Sequence, residues 1–495
     1  MKTMTKSFAM LAGFAAAIAM FAGCQEKENG GSGSLGDATV ISIEPASAYA
    51  YDEIAVTGTN FSEDVRQNRI IINGNEIVPY EVEKTGDGKY VLYAEVPTRL
   101  GSGTVSVSVA GKVFDSNVTF EYLKTMKFSN IIAAVWGASW GNTDPTEPKF
   151  DGPIGACATE TGQILLAEQW THCIRQVTPS GPSVALYAGQ YGSSGQQSGD
   201  LLTAKFDTPK GIVPISDGRY VVFSDKQVQV IDGNQVSLLG KTRDDEGERN
   251  YEGAVSEVNF CNTNGAAYDP ASGSVYFGCA DVDGETGRNR HYILKWDLDS
   301  DQISVAAGNV SSDTESQGTV DGDALTVARL DNPGRMCVAS DGALYFLQSS
   351  GDGNCCVRKL ENGAVTTLAG NPGTAGYADG TGTEALFSFK AEGGEPGGGI
   401  VEDEDGNFLI ADPGNHAIRK MTPDGTVTTI NKVDVSNGSP NKWAYKDDYD
   451  PAIGNQGEAS QYAAHPMYIF KIEDYTYGFL QYTGDAPGIR KIVFE

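Results

Sequence analysis

Basic residues are few in this sequence relative to acidic ones. The 495 residues include 36 Lys and Arg against 65 Asp and Glu, which gives a formal net charge of -29 at pH 7. No Lys/Arg cluster interrupts the acidic excess, so the chain would repel nucleic-acid phosphates and anionic lipid headgroups. We therefore expect no nucleic-acid partner. The surplus acid serves solubility first, and its sign favours a neutral or cationic ligand.

Histidine and cysteine, which supply many metal sites and nucleophiles, are also scarce. The chain has 4 His and 8 Cys, and their spacing matches neither a zinc site nor a catalytic triad. Setting Cys24 aside leaves an odd number of cysteines, which cannot all pair within one chain, so a disulfide framework is not indicated. We expect no catalytic residue, no metal ligand set and no cofactor, with calcium alone left open.

Two short acidic turns are the reason for leaving calcium open. Asp321-Gly322-Asp323 and Ala378-Asp379-Gly380 could offer carboxylate and carbonyl ligands. Both lack the full spacing of a calcium loop and occupy equivalent places in the repeats described below, which favours a turn role. His172 and His416 also lie in matching loops, and a residue shared between repeats indicates packing rather than catalysis.

Long stretches with helical periodicity are absent. Short runs rich in Val, Ile, Tyr and Phe recur from Val40 onward, punctuated by Asp-Gly, Asn-Gly and Ser-Gly dipeptides. Such runs bounded by turn residues are typical of strands. The sequence therefore predicts an all-β protein, and its length predicts two or more domains.

The first 23 residues have the pattern of a secretory signal, with Lys2 and Lys6 before an apolar run that ends in Ala22-Gly23-Cys24. This ending resembles the lipobox of bacterial lipoproteins, which implies a signal peptide over residues 1–23 and a lipid on Cys24. Residues 24–37 are acidic and then Gly/Ser-rich, and we expect them to form a flexible tether. The acidic tract is similar to the export signal of surface lipoproteins in Gram-negative gut bacteria. The expected location is the outer membrane, lipid-anchored at the cell surface.

Residues 38–123 alternate apolar and polar side chains in several runs, as half-buried strands do. The segment contains Ile43-Glu44-Pro45, Gly58-Thr59-Asn60-Phe61, Val96-Pro97 and the alternating run Gly103–Val109. These motifs resemble the IPT/TIG immunoglobulin-like family. The resemblance implies a β-sandwich of about seven strands that acts as a spacer or docking module.

From residue 126 to residue 495 the sequence repeats itself. Successive units close at Gly137, Gly189, Gly240, Gly308 and Gly370, and this spacing of about 50–70 residues suits one four-stranded propeller blade with a variable loop. With segments such as Asn415-His416-Ala417-Ile418-Arg419, the units resemble the NHL repeat, which implies a six-bladed β-propeller. The last unit has three obvious strands, and we expect Ile131–Gly137 to supply the fourth and close the ring.

Aromatic residues gather in loops that the predicted strand order places on one face of the propeller. Flat aromatic rings stack on the C–H faces of sugars, while neighbouring Asp, Asn and Gln bind hydroxyls. The candidate ligand-binding residues are Trp140, Trp170, Tyr191, Tyr251, Tyr377, Trp443, Tyr445 and Tyr449.

Three functions stay open at this point. The first is a cell-surface lipoprotein that binds an extracellular ligand, an oligo- or polysaccharide, on the loop face, with an outer-membrane transporter as partner. Its domain order is similar to accessory proteins of outer-membrane glycan-uptake systems. The second is a protein–protein scaffold of an outer-membrane complex, and the third is a propeller lyase or hydrolase with a metal in the channel. We expect binding rather than catalysis, and membrane contact through the lipid anchor only.

Overall fold

The computed structural model describes residues 36–133, 135–136, 149–181, 183–224, 227–241, 250–260, 262–282, 289–309, 317–349, 355–390, 397–431, 433, 465–483 and 486–495. Within these ranges the regular structure consists of strands and five short 3-10 turns, at Val65–Gln67, Ser216–Gly218, Val255–Glu257, Gly382–Glu384 and Pro413–Asn415. The same ranges contain no helix long and apolar enough to cross a bilayer. The predicted all-β class is confirmed.

The chain forms two compact units. The first is built from residues up to Pro45 with Ile54–Ala94 and Thr104–Phe120, and the second from the segments between these together with Glu121–Glu495.

The strands before residue 124 form two sheets, ordered β1-β3-β7-β6 and β2-β10-β8-β4-β5, with β9 paired to β8. These strands are β1 (Thr39–Glu44), β2 (Ser47–Tyr49), β3 (Glu53–Thr59), β4 (Asn68–Ile72), β5 (Asn75–Ile77), β6 (Glu81–Lys84), β7 (Tyr90–Glu95), β8 (Gly103–Val109), β9 (Lys112–Phe114) and β10 (Thr119–Leu123). Alternate residues such as Val56, Ile70 and Val107 are fully buried, as the alternating pattern predicts. The strand number exceeds the expected seven because β2, β5 and β9 are short additions.

The remaining strands, in chain order, are β11 (Met126–Ala133), β12 (Val135–Trp136), β13 (Lys149–Phe150), β14 (Pro153–Ala158), β15 (Ile164–Glu168), β16 (Cys173–Thr178), β17 (Ser183–Gly189), β18 (Gly199–Asp200), β19 (Gly211–Pro214), β20 (Tyr220–Phe223), β21 (Val228–Asp232), β22 (Gln235–Leu239), β23 (Gly253–Ala254), β24 (Thr263–Asp269), β25 (Ser274–Val282), β26 (Asn289–Asp297), β27 (Gln302–Ala307), β28 (Gly322–Asp323), β29 (Pro333–Val338), β30 (Leu344–Ser349), β31 (Cys355–Glu361), β32 (Ala364–Ala369), β33 (Gly380–Thr381), β34 (Gly399–Glu402), β35 (Phe408–Asp412), β36 (Ala417–Met421), β37 (Thr426–Thr429), β38 (Pro466–Glu473), β39 (Thr476–Thr483) and β40 (Ala486–Phe494).

Over the described residues these strands form six antiparallel sheets of four or five strands, apart from the short β12–β13 pair. We number the sheets 1 to 6 by their first long strands, β14, β19, β24, β29, β34 and β38, which we call the inner strands. Each inner strand contacts the next, and β38 contacts β14. The six sheets therefore form a closed ring, and buried apolar clusters fill the space between each sheet and its neighbour.

The fourth strand of sheet 6 comes from the N-terminal end of the propeller sequence. Strand β11 pairs antiparallel with β40, from Met126 opposite Phe494 to Ala133 opposite Gly488. The prediction that a strand near residue 131 closes the ring is confirmed, but its predicted bounds, Ile131–Gly137, were wrong. The closing strand begins earlier because Phe128 faces the apolar core of the sheet, where its ring lies 6.1 Å from that of Phe479.

The third strands of five sheets contain a buried arginine: Arg175, Arg290, Arg358, Arg419 and Arg490. Arg419 donates 2.8 Å hydrogen bonds to the carboxylates of Asp412 and Asp379. Arg358 makes the corresponding bonds to the Gln348 amide oxygen at 2.7 Å and to Asp321 at 2.9 Å.

The two acidic turns considered for calcium therefore have a structural role. Besides the arginine, the carboxylate of Asp321 accepts from the backbone and hydroxyl of Thr367, and that of Asp379 from Thr429 in the same way. These bonds fix the short entry strand of each sheet against its outermost strand. They agree with the turn role that the repeat pattern favours.

Sheets 4 and 5 offer a matched test of buried charge. Both Arg419→Met and Arg358→Met remove the cation from a half-exposed aspartate, Asp379 or Asp321. In addition, Arg419→Met leaves the fully buried Asp412 carboxylate unpaired, whereas the corresponding partner of Arg358 is the neutral amide of Gln348. We expect Arg419→Met to lower the free energy of unfolding by about 3–5 kcal/mol and Arg358→Met by about 1–3 kcal/mol, as measured by urea unfolding. Adding Asp412→Asn to Arg419→Met should recover part of the loss. Equal losses in the two single variants would contradict this account.

Candidate functional site

A polar cavity of about 230 Å³ opens at the end of the ring where the inner strands begin. Its walls come from sheets 1 to 5, at the starts of inner strands and the ends of second strands. The lining residues are Ile154, Gln169, Lys210, Asn264, Asn332, Gly334, Arg335, Leu347, Ser349 and Gly397. The cavity is thus built from residues far apart in sequence that the ring brings together.

Arg335 crosses the centre of the ring beneath this cavity. Its side chain leaves β29, and its Nη2 donates a 2.9 Å hydrogen bond to the carbonyl of Ile154 in sheet 1. The guanidinium carbon stands 5.6 Å from the ring centroid of Phe223 in sheet 2 and 5.0 Å from that of Tyr468 in sheet 6. Arg335 is only 8% exposed, and burial lowers the pKa of its guanidinium.

Glycine on neighbouring inner strands makes room for this arginine. At the matching ring position sheets 1, 2, 3 and 5 have Gly155, Gly211, Gly265 and Gly399, while sheet 6 has Tyr468. A Cβ atom on Gly211 would lie 2.9 Å from Arg335 Nη1 and closer still to the Phe223 ring. Any larger residue there would displace the guanidinium from the centre.

A chain of amide hydrogen bonds orders the cavity wall. Lys210 Nζ donates to Asn264 Oδ1 at 2.9 Å, Asn264 Nδ2 donates to Asn332 Oδ1 at 2.7 Å, and Asn332 Nδ2 donates to the Ser349 carbonyl at 2.8 Å. The side chains of three consecutive sheets are therefore held in fixed positions, which preorganises donors and acceptors for a polar ligand.

The histidines of sheets 1, 3 and 5 join each sheet to the next. Nδ1 of His172 accepts from the backbone N–H of Thr208 at 3.0 Å, and Nδ1 of His291 accepts from that of Asn332 at 2.9 Å. Nδ1 of His416 accepts from His465 at 3.3 Å. The shared geometry accords with the packing role inferred for His172 and His416.

The loop after β15 contains both a residue of the cavity wall and an exposed aromatic residue. Gln169 lines the cavity, and the next residue, Trp170, is 49% exposed. The buried Glu168 carboxylate fixes this loop: it accepts from the Thr171 hydroxyl at 2.8 Å and lies 3.5 Å from the Arg175 guanidinium. Burial raises the pKa of Glu168 to about 7, although Arg175 and Thr171 oppose the shift.

Beyond Arg335 the channel becomes apolar. A second cavity of about 370 Å³ is lined by all six inner strands, mostly with Ala, Val, Ile and aromatic side chains. Cys157 and Cys337 lie in its wall, and burial raises the pKa of both thiols, so they behave as small apolar groups. The second cavity therefore has a larger apolar share in its lining than the first.

Of the eight predicted binding residues, Trp170 follows Gln169, which lines the cavity, directly in the chain. Tyr191 and Tyr377 lie over the guanidinium groups of Arg175 and Arg419, at 5.0 Å and 5.3 Å, and Tyr251 packs edge-on against Tyr292 at 4.8 Å. These three partly buried rings pack within their own sheets and are not brought together. Trp140, Trp443, Tyr445, Tyr449 and Cys24, the predicted lipidation residue, lie outside the described residues.

Sequence reasoning missed the residues that line the cavity. Lys210, Asn264, Asn332 and Arg335 carry no recognisable spacing, and the one available signal was Arg335, an arginine at a position where four other units have glycine. Among the described residues no group of three or more His, Cys, Asp or Glu could hold a metal ion. The six described cysteines are free thiols.

Comparison with known proteins supports the fold. Residues 38–122 match the family model of the IPT/TIG domain, and no curated protein matches the sequence. A structural genomics protein from Bacteroides thetaiotaomicron VPI-5482 is similar over 92% of this chain and 98% of its own, with 19% identity and a TM-score of 0.57. An auxiliary nutrient binding protein from Bacteroides ovatus ATCC 8483 is similar over 93% and 98% (17% identity, TM-score 0.48), and a streptogramin B lyase over 75% and 98% (12%, 0.40). The chain thus has an N-terminal IPT/TIG domain and a propeller-like fold after it.

The burial of Glu168 predicts a pH-dependent stability. The pKa of Glu168 is about 7 in the folded chain, against an ordinary value of 4.5 in the unfolded chain. Between these pH values the folded state binds more protons than the unfolded state. The free energy of unfolding therefore falls as the pH rises from 4.5 to 7. Glu168→Gln should remove this fall, worth at most about 3 kcal/mol, because one pKa unit corresponds to about 1.4 kcal/mol. Thermal unfolding between pH 4.5 and 7.5 measures it. Glu63→Gln, at an exposed carboxylate, is the control, and an unchanged slope in Glu168→Gln would refute the assignment.

Proposed function

We propose that the protein is a lipid-anchored protein of the outer-membrane surface that binds an extracellular oligosaccharide at the channel mouth of its propeller. The observation that carries the proposal is a cavity walled by Gln169, Asn264 and Asn332, with the half-exposed Trp170 next to Gln169 in the chain. An exposed indole offers a flat apolar face for a sugar ring, and fixed amides offer both donors and acceptors for its hydroxyls. This combination is the usual composition of a sugar-binding site.

The size of the cavity favours one end of a longer ligand. Its volume of about 230 Å³ lies below the roughly 300–1,000 Å³ of pockets that enclose a whole ligand. One sugar unit would enter the cavity while the next stacks on Trp170 at the rim. The remaining units would extend over the loop face, to which the sequence prediction assigns Trp140, Trp443, Tyr445 and Tyr449.

The other parts of the proposal rest on the sequence. The signal pattern of residues 1–23 and the lipobox-like ending at Cys24 would place the protein at the membrane through a lipid, with residues 24–37 as tether. The IPT/TIG domain would act as spacer, the propeller would be six-bladed and of the NHL type, and an outer-membrane transporter would receive the ligand.

A single substitution tests the site. Trp170→Ala should weaken binding of the oligosaccharides that the full chain binds on a glycan array by about tenfold, equivalent to about 1.4 kcal/mol, because the stacking surface is lost. Tyr51→Ala is the matched control, since Tyr51 is an exposed aromatic residue, 69% exposed, outside the cavity. Absence of any oligosaccharide binding by the native chain would refute the proposal and favour the scaffold function. Undiminished binding by a folded Trp170→Ala variant would refute the site.

A further inference from the structure

The charge of the cavity is opposite to that of the chain. Acidic residues outnumber basic ones by 65 to 36 over the sequence, yet the described lining contains Lys210 and Arg335 and no Asp or Glu. At about 0.15 M salt, charges further than about 8 Å away are largely screened. The charge of Arg335 at the centre of the ring, rather than the net charge of -29, therefore has the larger influence on which ligand charge the cavity favours.

Arg335 is incompletely bonded for a buried cation. Its Nη2 has one carbonyl acceptor, while Nη1 is buried without a hydrogen-bond partner, and no carboxylate among the described residues forms an ion pair with it. Burying an unpaired charge costs several kcal/mol, so buried cations are normally paired.

Two other buried arginines of the same ring have fully paired guanidinium groups at their terminal nitrogens. In Arg358 and Arg419 both terminal nitrogens donate, and each guanidinium reaches at least one carboxylate. Arg335 has a comparably buried position, at 8% exposure, without that compensation. Among the described residues, Arg335 thus differs from these structural arginines in having no carboxylate partner, which leaves a place for an anionic ligand.

We propose that the cavity binds the carboxylate of an acidic sugar, with Arg335 as the principal cation and Lys210 as the second. This inference rests on the proposed function and names the class of oligosaccharide: one that carries a uronic acid. A guanidinium presents N–H groups in a planar fork that matches a carboxylate, and Lys210 adds a point charge on the wall. The amides of Asn264 and Asn332 remain for ring hydroxyls, and Trp170 for the adjacent sugar.

The test uses uronate-containing oligosaccharides, each paired with its carboxyl-reduced neutral form, and the full chain in detergent. We expect the acidic members to bind and their reduced forms to bind at least tenfold more weakly. Arg335→Met should remove this discrimination. Lys210→Met alters a partly exposed wall residue and not the centre of the ring. It should reduce binding of the acidic forms several-fold, and it replaces Arg335→Met as the test if that variant does not fold.

The outcomes separate the two proposals. Binding of neutral forms as strong as that of acidic ones, with Trp170→Ala still weakening both, would overturn the inference and leave the proposed function standing. Binding of acidic forms that neither Arg335→Met nor Lys210→Met changes would also overturn it. If no oligosaccharide of either kind binds, the proposed function itself fails. Sodium sulfate at equal ionic strength is the control for a general anion effect, and competition by sulfate alone as strong as by the uronates would overturn the assignment to a carboxylate.

Discussion

The pairing of β11 with β40 is the contact on which the rest of the propeller depends. It supplies the fourth strand of sheet 6, and only a complete sheet 6 can pack between sheets 5 and 1 through its two apolar faces. With the ring closed, inner strands β38 and β14 become neighbours. The contacts that Arg335 makes with Ile154 and Tyr468 on the other sides of the channel exist because of this closure.

The room that glycine leaves at the centre of the ring determines which side chains fill the channel. Four inner strands have glycine at the central position, so the two large residues of the same level, Arg335 and Tyr468, fill the channel together. The polar mouth and the apolar channel are separated by that pair. A single cationic residue thus forms the floor of the cavity, and the hydrogen-bonded side chains of Lys210, Asn264 and Asn332, from three consecutive sheets, form part of its wall.

The sequence predicted the features that depend on residues close together along the chain. It did not predict the cavity, where segments far apart in the sequence meet. Strands follow from the local alternation of apolar and polar residues, and turns follow from dipeptides such as Asp-Gly. These local signals, together with the IPT/TIG motifs, were recognised in the sequence. The cavity could not be, because Lys210 and Arg335 become neighbours only through ring closure. Tyr191, Tyr251 and Tyr377 were placed in loops, but whether a ring faces solvent depends on the residue beneath it, here Arg175, Tyr292 and Arg419. The expectation of a neutral or cationic ligand rests on the net charge, which averages over the whole surface, and it stays a prediction that our proposal of an acidic sugar opposes.

The closing strand also dictates an order of events during folding. Joining β11 to β40 closes a chain loop of about 370 residues, yet each doubling of loop length adds only about 0.6 kcal/mol of entropy, so closure costs about 2 kcal/mol more than closing one 50-residue unit. The entropic cost of closure is small, but the time between the synthesis of β11 and the synthesis of β40 is long. Until synthesis has passed β40, β11 has an unpaired edge that can template pairing with another nascent chain. Aggregation during biogenesis, rather than instability of the finished ring, is the hazard that this architecture creates.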